Sequence, residues 1–219
     1  MPSISYAITA CNEHKELEWL LDMLDKHIRD EDEIVVQLDT TATIEVKQVA
    51  EKYNVGTRYE YHRIFFGLNK DFASFKNNLK NHCTRDYIFQ IDADEYPHPL
   101  LLLSLSQILE YNSSIDVFLV PRINTVEGLT EQHIKQWGWQ LNEKGWVNFP
   151  DWQMRLYRNC DWVKWDGLLH SKIEGHKTYV FLPAEELFCI LHPKQLERQV
   201  AQNDLYDKIE QTGRTKYKV

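Results

Sequence analysis

The sequence predicts an α/β fold, a single domain in which a mostly parallel sheet carries helices on both faces. Three observations point there. Short apolar runs alternate with amphipathic helical patterns from residue 5 to residue 121, the alternation that builds crossover units. The 219 residues are enough for one full hydrophobic core, and 43% of them are hydrophobic. No internal repeat or low-complexity linker divides the chain.

The elements follow in order. Ser5 to Thr9 reads as the first strand. Glu13 to Ile28 is an amphipathic helix with Leu17, Leu20, Leu21 and Leu24 on one stripe and Asn12 as its cap. Glu33 to Asp39 is the second strand, Thr43 to Tyr53 the second helix, and Thr57 to Tyr61 a short third strand. Phe72 to Cys83 is the third helix, capped by Asp71. Tyr87 to Ile91 is a buried strand that runs into Asp92. Pro99 to Tyr111 is a fourth helix with a proline in its first turn, and Asp116 to Pro121 is another strand.

The texture changes near residue 122. Six of the seven Trp lie between Trp137 and Trp165, among loops and short strands such as Met154 to Tyr157 and Leu168 to Ile173. A long polar helix, Lys194 to Gln211, closes the pattern. Residues 1–121 and 122–219 therefore read as two halves of one domain. In open sheets of this kind, ligands bind beyond the carboxyl ends of the strands.

Composition excludes some classes. The net charge of -8 argues against a general nucleic-acid binder, and the stretch from Lys194 to Val219, with six basic residues against four acidic, is only mildly basic. Cys11, Cys83, Cys160 and Cys189 are widely spaced, as expected of four free thiols in a reducing compartment. The first ten residues lack the basic start of a secretion signal. The longest apolar run, Leu100 to Leu109, is about half the length that spans a bilayer and is broken by Ser104 and Ser106. The expectation is a soluble cytoplasmic protein without a transmembrane segment.

The sharpest chemical feature is Ile91-Asp92-Ala93-Asp94-Glu95, where a hydrophobic strand ends in three carboxylates. Residues two apart on a strand point the same way, so Asp92 and Asp94 can converge on one point. Two like charges that close call for a cation between them. Hard oxygen ligands favour Mg²⁺ or Mn²⁺, ions that commonly also hold substrate phosphates. A solvated acidic turn is the competing reading. Asp39 and the segment Thr9 to Glu13 end the other two leading strands and would open onto the same crevice.

These segments resemble a known family. Ser5-Tyr6-Ala7-Ile8-Thr9-Ala10-Cys11-Asn12-Glu13, Glu33-Ile34-Val35-Val36-Gln37-Leu38-Asp39, Phe75-Lys76-Asn77-Asn78-Leu79 and Asp86 to Glu95 look like the four ordered blocks of family 2 glycosyltransferases. The resemblance implies the GT-A fold and an inverting, metal-dependent sugar transfer from a nucleotide sugar, commonly a UDP-sugar. Trp152-Gln153-Met154-Arg155-Leu156-Tyr157, followed by Leu168-Leu169-His170-Ser171-Lys172, is similar more loosely to a small branch with lipopolysaccharide-core β-1,4-glucosyltransferases.

The resemblance implies roles residue by residue. Thr9, Asn12, Glu13 and Asp39 would hold the nucleotide, where a carboxylate suits the donors of uracil and ribose. Lys76 would stand near the donor, unless it is an exposed helix charge. Asp92, Ala93 and Asp94 would face the donor, with Asp92 and Asp94 binding the ion and, through it, the diphosphate. The loop after Asp39 reads Thr40-Thr41-Ala42-Thr43 and so lacks the second acid often found there.

The second half should supply the rest. An inverting transfer needs a carboxylate base, and Asp151 is the expected one because it precedes the Arg155 block; Asp166, Glu174 and Glu95 compete. His170 and His192 each follow an apolar run and are the candidates for a further metal ligand, with His170 preferred. Arg155 is the expected acceptor contact beside Trp152, and Arg155 and Lys172 could also pair with diphosphate. Most of the six clustered Trp are expected in the core, with Trp152 at the acceptor.

The acceptor implied is a glycan or lipid-linked saccharide, met in solution or peripherally at a membrane; modified nucleic acid is the less favoured choice. Two other functions stay open. A metal-dependent nucleotidyltransferase or phosphotransferase also uses paired carboxylates, although Ala10-Cys11-Asn12-Glu13-His14 has no glycine for a phosphate loop. The other is a nucleotide-sugar binding protein without activity.

Overall fold

A computed structural model describes residues 1–54, 57–168 and 171–211. The first half alternates as expected: β1 (Ile4–Ala10), α1 (His14–His27), β2 (Glu33–Asp39), α2 (Ile44–Lys52), β3 (Glu60–Phe66), α3 (Phe72–Lys80) and β4 (Tyr87–Asp92). Next come β5 (Tyr96–Pro97), α4 (Pro99–Tyr111), β6 (Val117–Glu127), α5 (Glu131–Trp137) and β7 (Val147–Arg158). The last elements are β8 (Lys164–Asp166), β9 (Lys172–Glu174), β10 (Tyr179–Phe181), a 3-10 turn at Glu186–Phe188, β11 (Ile190–Gln195) and α6 (Leu196–Gln211).

The main sheet runs β3-β2-β1-β4-β7-β6-β11-β5, and β10 also pairs with β6. β1, β2, β3 and β4 are parallel neighbours, as are β6 and β11. β7 runs against both β4 and β6. The register sets Thr9 beside Asp92 and Ala10 beside Leu38, so three strands end together along one edge.

Strand alternation splits the core between the two faces. Tyr6, Ile8, Ile34, Val36, Phe89 and Ile91 pack with residues of α1, α2 and α4. Ala7, Val35 and Ile88 pack with Ala73 and Leu79 of α3, together with Tyr157 and Trp165. The four leucines of the α1 stripe are fully buried, each worth about 1.5–3 kcal/mol of transfer from water.

Several boundaries differ from expectation, each for a local reason. The third strand is Glu60–Phe66 rather than residues 57–61; among the described residues it pairs only with β2, and its exposed outer face hides the alternation. The strand expected over residues 116–121 continues to Glu127 because ladder bonds to β7 and β11 carry its polar second half. The strand expected over residues 154–157 likewise spans Val147–Arg158. Of the strand expected over residues 168–173, residues 169 and 170 lie outside the described residues, and Lys172 and Ile173 fall in β9. The last helix starts at Leu196, after β11 has taken Lys194 and Gln195.

Asn12 does not cap α1. Glu13 folds back instead, its Oε2 accepting the Cys11 amide at 2.9 Å and the Asn12 amide at 3.0 Å. Asp71 does cap α3, accepting the Ser74 amide at 2.9 Å.

Candidate functional site

Beyond the carboxyl ends of β1, β2 and β4, a crevice of about 990 Å³ opens against the inner faces of β6, β7 and β11. Helix α6 adds Arg198, Gln202 and Tyr206 to its wall. All the expected donor residues reach this crevice: Thr9, Asn12, Glu13, Asp39, Lys76, Asp92, Ala93 and Asp94. A parallel sheet makes this happen, because strands that start at one edge must finish at the other.

Thr9 and Asp92 are register partners, and the Thr9 hydroxyl donates to Asp92 Oδ1 at 2.8 Å. Asp39 closes its own loop, accepting the Thr41 amide on Oδ1 and the Leu68 amide on Oδ2, both at 2.7 Å. Burial works against ionisation there, and the Thr41 hydroxyl with these amides outweighs it, holding the Asp39 carboxyl below its usual range. The Ala93 amide is taken by the Thr9 carbonyl at 3.0 Å. Lys76 is no exposed helix charge: its ammonium sits 4.0 Å over the Trp165 ring and is pulled down to about 8 by burial and then by Arg155.

The two aspartates have different surroundings. β4 ends at Asp92 and Asp94 lies in the turn that follows; both line the crevice, and each takes different partners. Asp92 Oδ2 takes Arg155 Nη2 at 2.6 Å. Its burial favours the neutral acid, and Arg155, Lys76 and the Thr9 hydroxyl overcome that, keeping the carboxyl well below its usual range. Asp94 faces His192 Nε2 at 3.4 Å and Arg198 Nη2 at 3.2 Å. His192, from β11, is 7% exposed, with Nδ1 at 2.8 Å from Asn124 Oδ1. His170 lies outside the described residues.

Arg155, expected at the acceptor, lines the crevice as part of a buried ion-pair network. Its side chain is 4% exposed, and Nη2 is divided between Asp92 and Glu95 Oε1 at 2.6 Å each. Glu95 has no exposed surface and also takes Arg122 Nη1 at 2.7 Å, so it serves as a buried counter-ion and not as a base. Among the described residues, Arg155 Nε and Nη1 are buried without a hydrogen-bond partner beside the crevice.

Asp151 faces the crevice from β7 in line with Gln153 and Arg155. Its Oδ2 accepts Arg122 Nε at 2.9 Å, Arg122 Nη2 at 2.7 Å and Asn124 Nδ2 at 2.8 Å. Among the described residues, Oδ1 accepts only Gln153 Nε2, at 2.6 Å. Burial again opposes charge, and Arg122 foremost keeps the Asp151 carboxyl below its usual range. Asp166 and Glu174 are exposed on the separate β8–β9 hairpin, and Lys172 is exposed there too.

Trp152 is not at this wall. Alternation along β7 turns it away from Asp151, and it packs edge-on against Phe181 at 4.9 Å. Nor are most of the clustered Trp in the core: among the six, Trp165 is buried, whereas Trp137, Trp146 and Trp152 sit half-buried in ring pairs and Trp162 is exposed. The one that lines the crevice is Trp139.

The residues that sequence reasoning missed are Arg122, Asn124, Lys194 and Arg198, all of which line the crevice. Arg122 and Asn124 lie in the polar half of β6, and only their spacing of two carried a signal. A second cluster, Glu33, Glu60 and His62, lies at the amino ends of β2 and β3, away from the crevice. Glu33 is already filled by the Ser5 hydroxyl and by Thr84, so this cluster is structural.

Comparison with known proteins agrees with this geometry. The model of the glycosyl transferase family 2 matches residues 5–179. No curated protein sequence matches. The structure resembles S. aureus TarS 1-349 with a TM-score of 0.61 at 15% identity, over 88% of this chain and 60% of that one. For TarS 1-349 in complex with UDP-GlcNAc the TM-score is 0.63 at 15% identity, over 89% and 59%. The chain thus spans about three-fifths of the length of these neighbours, and at such identity the likeness is one of fold.

Proposed function

The chain belongs to glycosyl transferase family 2, and from that premise we propose an inverting, metal-dependent glycosyltransferase that moves a sugar from a nucleoside diphosphate sugar to a hydroxyl acceptor. The observation that carries this reading is the convergence of Asp94 and His192, 3.4 Å apart, in a crevice shared with Thr9, Asp39, Lys76 and Asp151. Residues 1–121 form the donor half and residues 122–219 the acceptor half.

The residues present fit a divalent cation. An imidazole nitrogen and a carboxylate oxygen suit Mn²⁺ and Mg²⁺, and Asp92 lines the same crevice with a further carboxylate. Arg198 already puts a positive charge at the same Asp94 oxygen. When bound, the ion supplies Lewis-acid neutralisation of the leaving diphosphate.

The chain's own groups do the rest. Asp39, Thr9, Asn12 and Glu13 orient the nucleotide, which we take to be a uridine diphosphate; the TarS neighbour bound to UDP-GlcNAc supports that choice. Lys76, Lys194 and Arg155, whose Nε and Nη1 have no hydrogen-bond partner among the described residues, attract the diphosphate. Asp151 Oδ1, with a single donor among the described residues, accepts the acceptor's hydroxyl proton as the bond forms. Trp139 offers an aromatic surface at the same crevice. A glycan or lipid-linked saccharide is the acceptor class proposed. Among the described residues no helix is long and apolar enough to cross a membrane. We place the enzyme in the cytoplasm, where a lipid-linked acceptor would be met at the membrane surface.

A thermal-shift screen of nucleoside diphosphates and their sugars, with and without Mn²⁺, tests the reading on wild type and Asp94→Ala. A metal-dependent rise in melting temperature with uridine ligands, lost in Asp94→Ala, is expected. No shift with any nucleotide in folded protein would sink it. A donor labelled in the sugar and another labelled in the nucleotide then separate sugar transfer from nucleotidyl transfer.

A further inference from the structure

We propose that Asn124 is the positioning residue that sets the Asp151 carboxylate and the His192 ring in their working orientations at once. The inference rests on the functional reading above and adds to it a residue that neither touches the cation nor removes a proton.

Asn124 sits on β6 with His192 as its register partner on β11 and with β7, the strand that carries Asp151, on its other side. Its side chain spans the two, with Nδ2 at 2.8 Å from Asp151 Oδ2 and Oδ1 at 2.8 Å from His192 Nδ1. The orientation of this amide follows from its partners. Asp151 Oδ2 is a pure acceptor that two guanidinium N–H groups already approach, so an amide carbonyl turned toward it would set oxygen against oxygen. The NH₂ end therefore faces Asp151 and the carbonyl faces His192.

That carbonyl can be satisfied only by a hydrogen on Nδ1. A neutral ring with its hydrogen there carries its lone pair on Nε2, and Nε2 is the atom that faces Asp94. Asn124 thereby selects the tautomer in which His192 can serve as a ligand beside Asp94. Outer partners of this kind are what orient metal-bound histidines generally.

The other end of the amide acts on the base. Of the four donors that reach Asp151 among the described residues, three crowd onto Oδ2, Asn124 being one, which leaves Oδ1 as the oxygen open to an incoming hydroxyl. Without Asn124 the carboxylate loses a donor that holds it in this rotation. The sheet makes the device possible, because register brings β6, β7 and β11 side by side and spacing along each strand points the three side chains to one face.

Two substitutions separate the two ends. Asn124→Leu keeps the branched outline of the side chain and removes both hydrogen bonds. Asn124→Asp keeps an acceptor for His192 Nδ1 and removes the donor to Asp151. Mn²⁺ affinity is read by the electron paramagnetic resonance of the free ion, without nucleotide, and metal-free UDP affinity by calorimetry. Asn124→Leu should weaken Mn²⁺ binding about 10- to 100-fold while leaving metal-free UDP binding within about twofold. Asn124→Asp should keep Mn²⁺ affinity within about threefold of wild type and still lose turnover about 10-fold or more. Should the leucine variant fail to fold, Asn124→Ala takes its place with the same expectation.

Mn²⁺ affinity unchanged in a folded Asn124→Leu, or lowered equally in the leucine and aspartate variants, would overturn the positioning role. Asp94→Ala, measured in parallel, keeps the two readings apart. If Asp94→Ala loses Mn²⁺ and Asn124→Leu does not, only the positioning inference falls; if Asp94→Ala binds Mn²⁺ normally, the cation reading of the crevice falls with it.

Discussion

Arg198 sets its guanidinium 3.2 Å from the Asp94 carboxylate, tying the last helix to the turn that follows β4. The same guanidinium reaches Glu13 Oε1 at 2.8 Å, so one side chain bridges two acids of the crevice wall. A protein cation at this point competes with any metal ion for Asp94. Arg198→Ala should therefore tighten Mn²⁺ binding about two- to fivefold, the range that about 0.5–1 kcal/mol of partly exposed ion pairing implies. Titration of Mn²⁺ into the nucleotide-free protein measures it, and an unchanged or weaker affinity would contradict the competition.

Asp151→Asn should keep donor and metal binding and lower turnover about 10²- to 10⁴-fold, the usual contribution of a positioned proton acceptor. The amide keeps the shape of the side chain and removes its basicity. Release of UDP in the presence of acceptor reads the effect. A variant that turns over at the wild-type rate would remove Asp151 from the mechanism.

Lys76 should make nucleotide binding depend on pH. Burial first, and Arg155 next, pull its ammonium from the ordinary 10.5 down to about 8. The charge is therefore present at pH 7 and lost as pH rises through 8. Metal-free UDP affinity should fall several-fold between about pH 7 and 9, and Lys76→Met should flatten that profile. The sign for folding is opposite: between about 8 and 10.5 the unfolded chain holds the extra proton, so this group favours the folded state more as pH rises. Calorimetry across the pH range checks the first statement and chemical denaturation the second.

Glu95→Gln should be costly for stability. Glu95 is wholly buried and neutralises both Arg122 and Arg155, so the amide leaves two guanidinium groups short of a counter-charge. A loss of about 3–5 kcal/mol is expected from urea denaturation. The exposed Glu174→Gln should stay within about 0.5 kcal/mol of wild type. Equal effects from the two would show that the buried network carries little energy.

Much of the crevice wall at the strand ends was legible in the sequence, for physical reasons that are local. Apolar runs of strand length mark where each strand ends, and parallel crossovers force those ends onto one edge, so pattern alone was enough to group Thr9, Asp39 and Asp92. The wall built by β6 and β7 was not legible in the same way. Whether Trp152 or Asp151 faces the crevice depends on the register of β7 against β6, and a shift of one residue would exchange them.

Arg155 shows the limit most clearly. As a sequence it was a basic residue in a suggestive block; only burial against Glu95 and Asp92 turned it into a counter-ion. Asn124, His192 and Asp151 are distant along the chain, and no periodicity links them. The order of elements, the strand ends and the carboxylates they carry were written in the chain itself, because they follow from local pattern and propensity. Which charges are paired, which tryptophans face the crevice and which nitrogen of His192 meets Asp94 were settled only by folding, because these depend on register and burial between strands far apart in sequence.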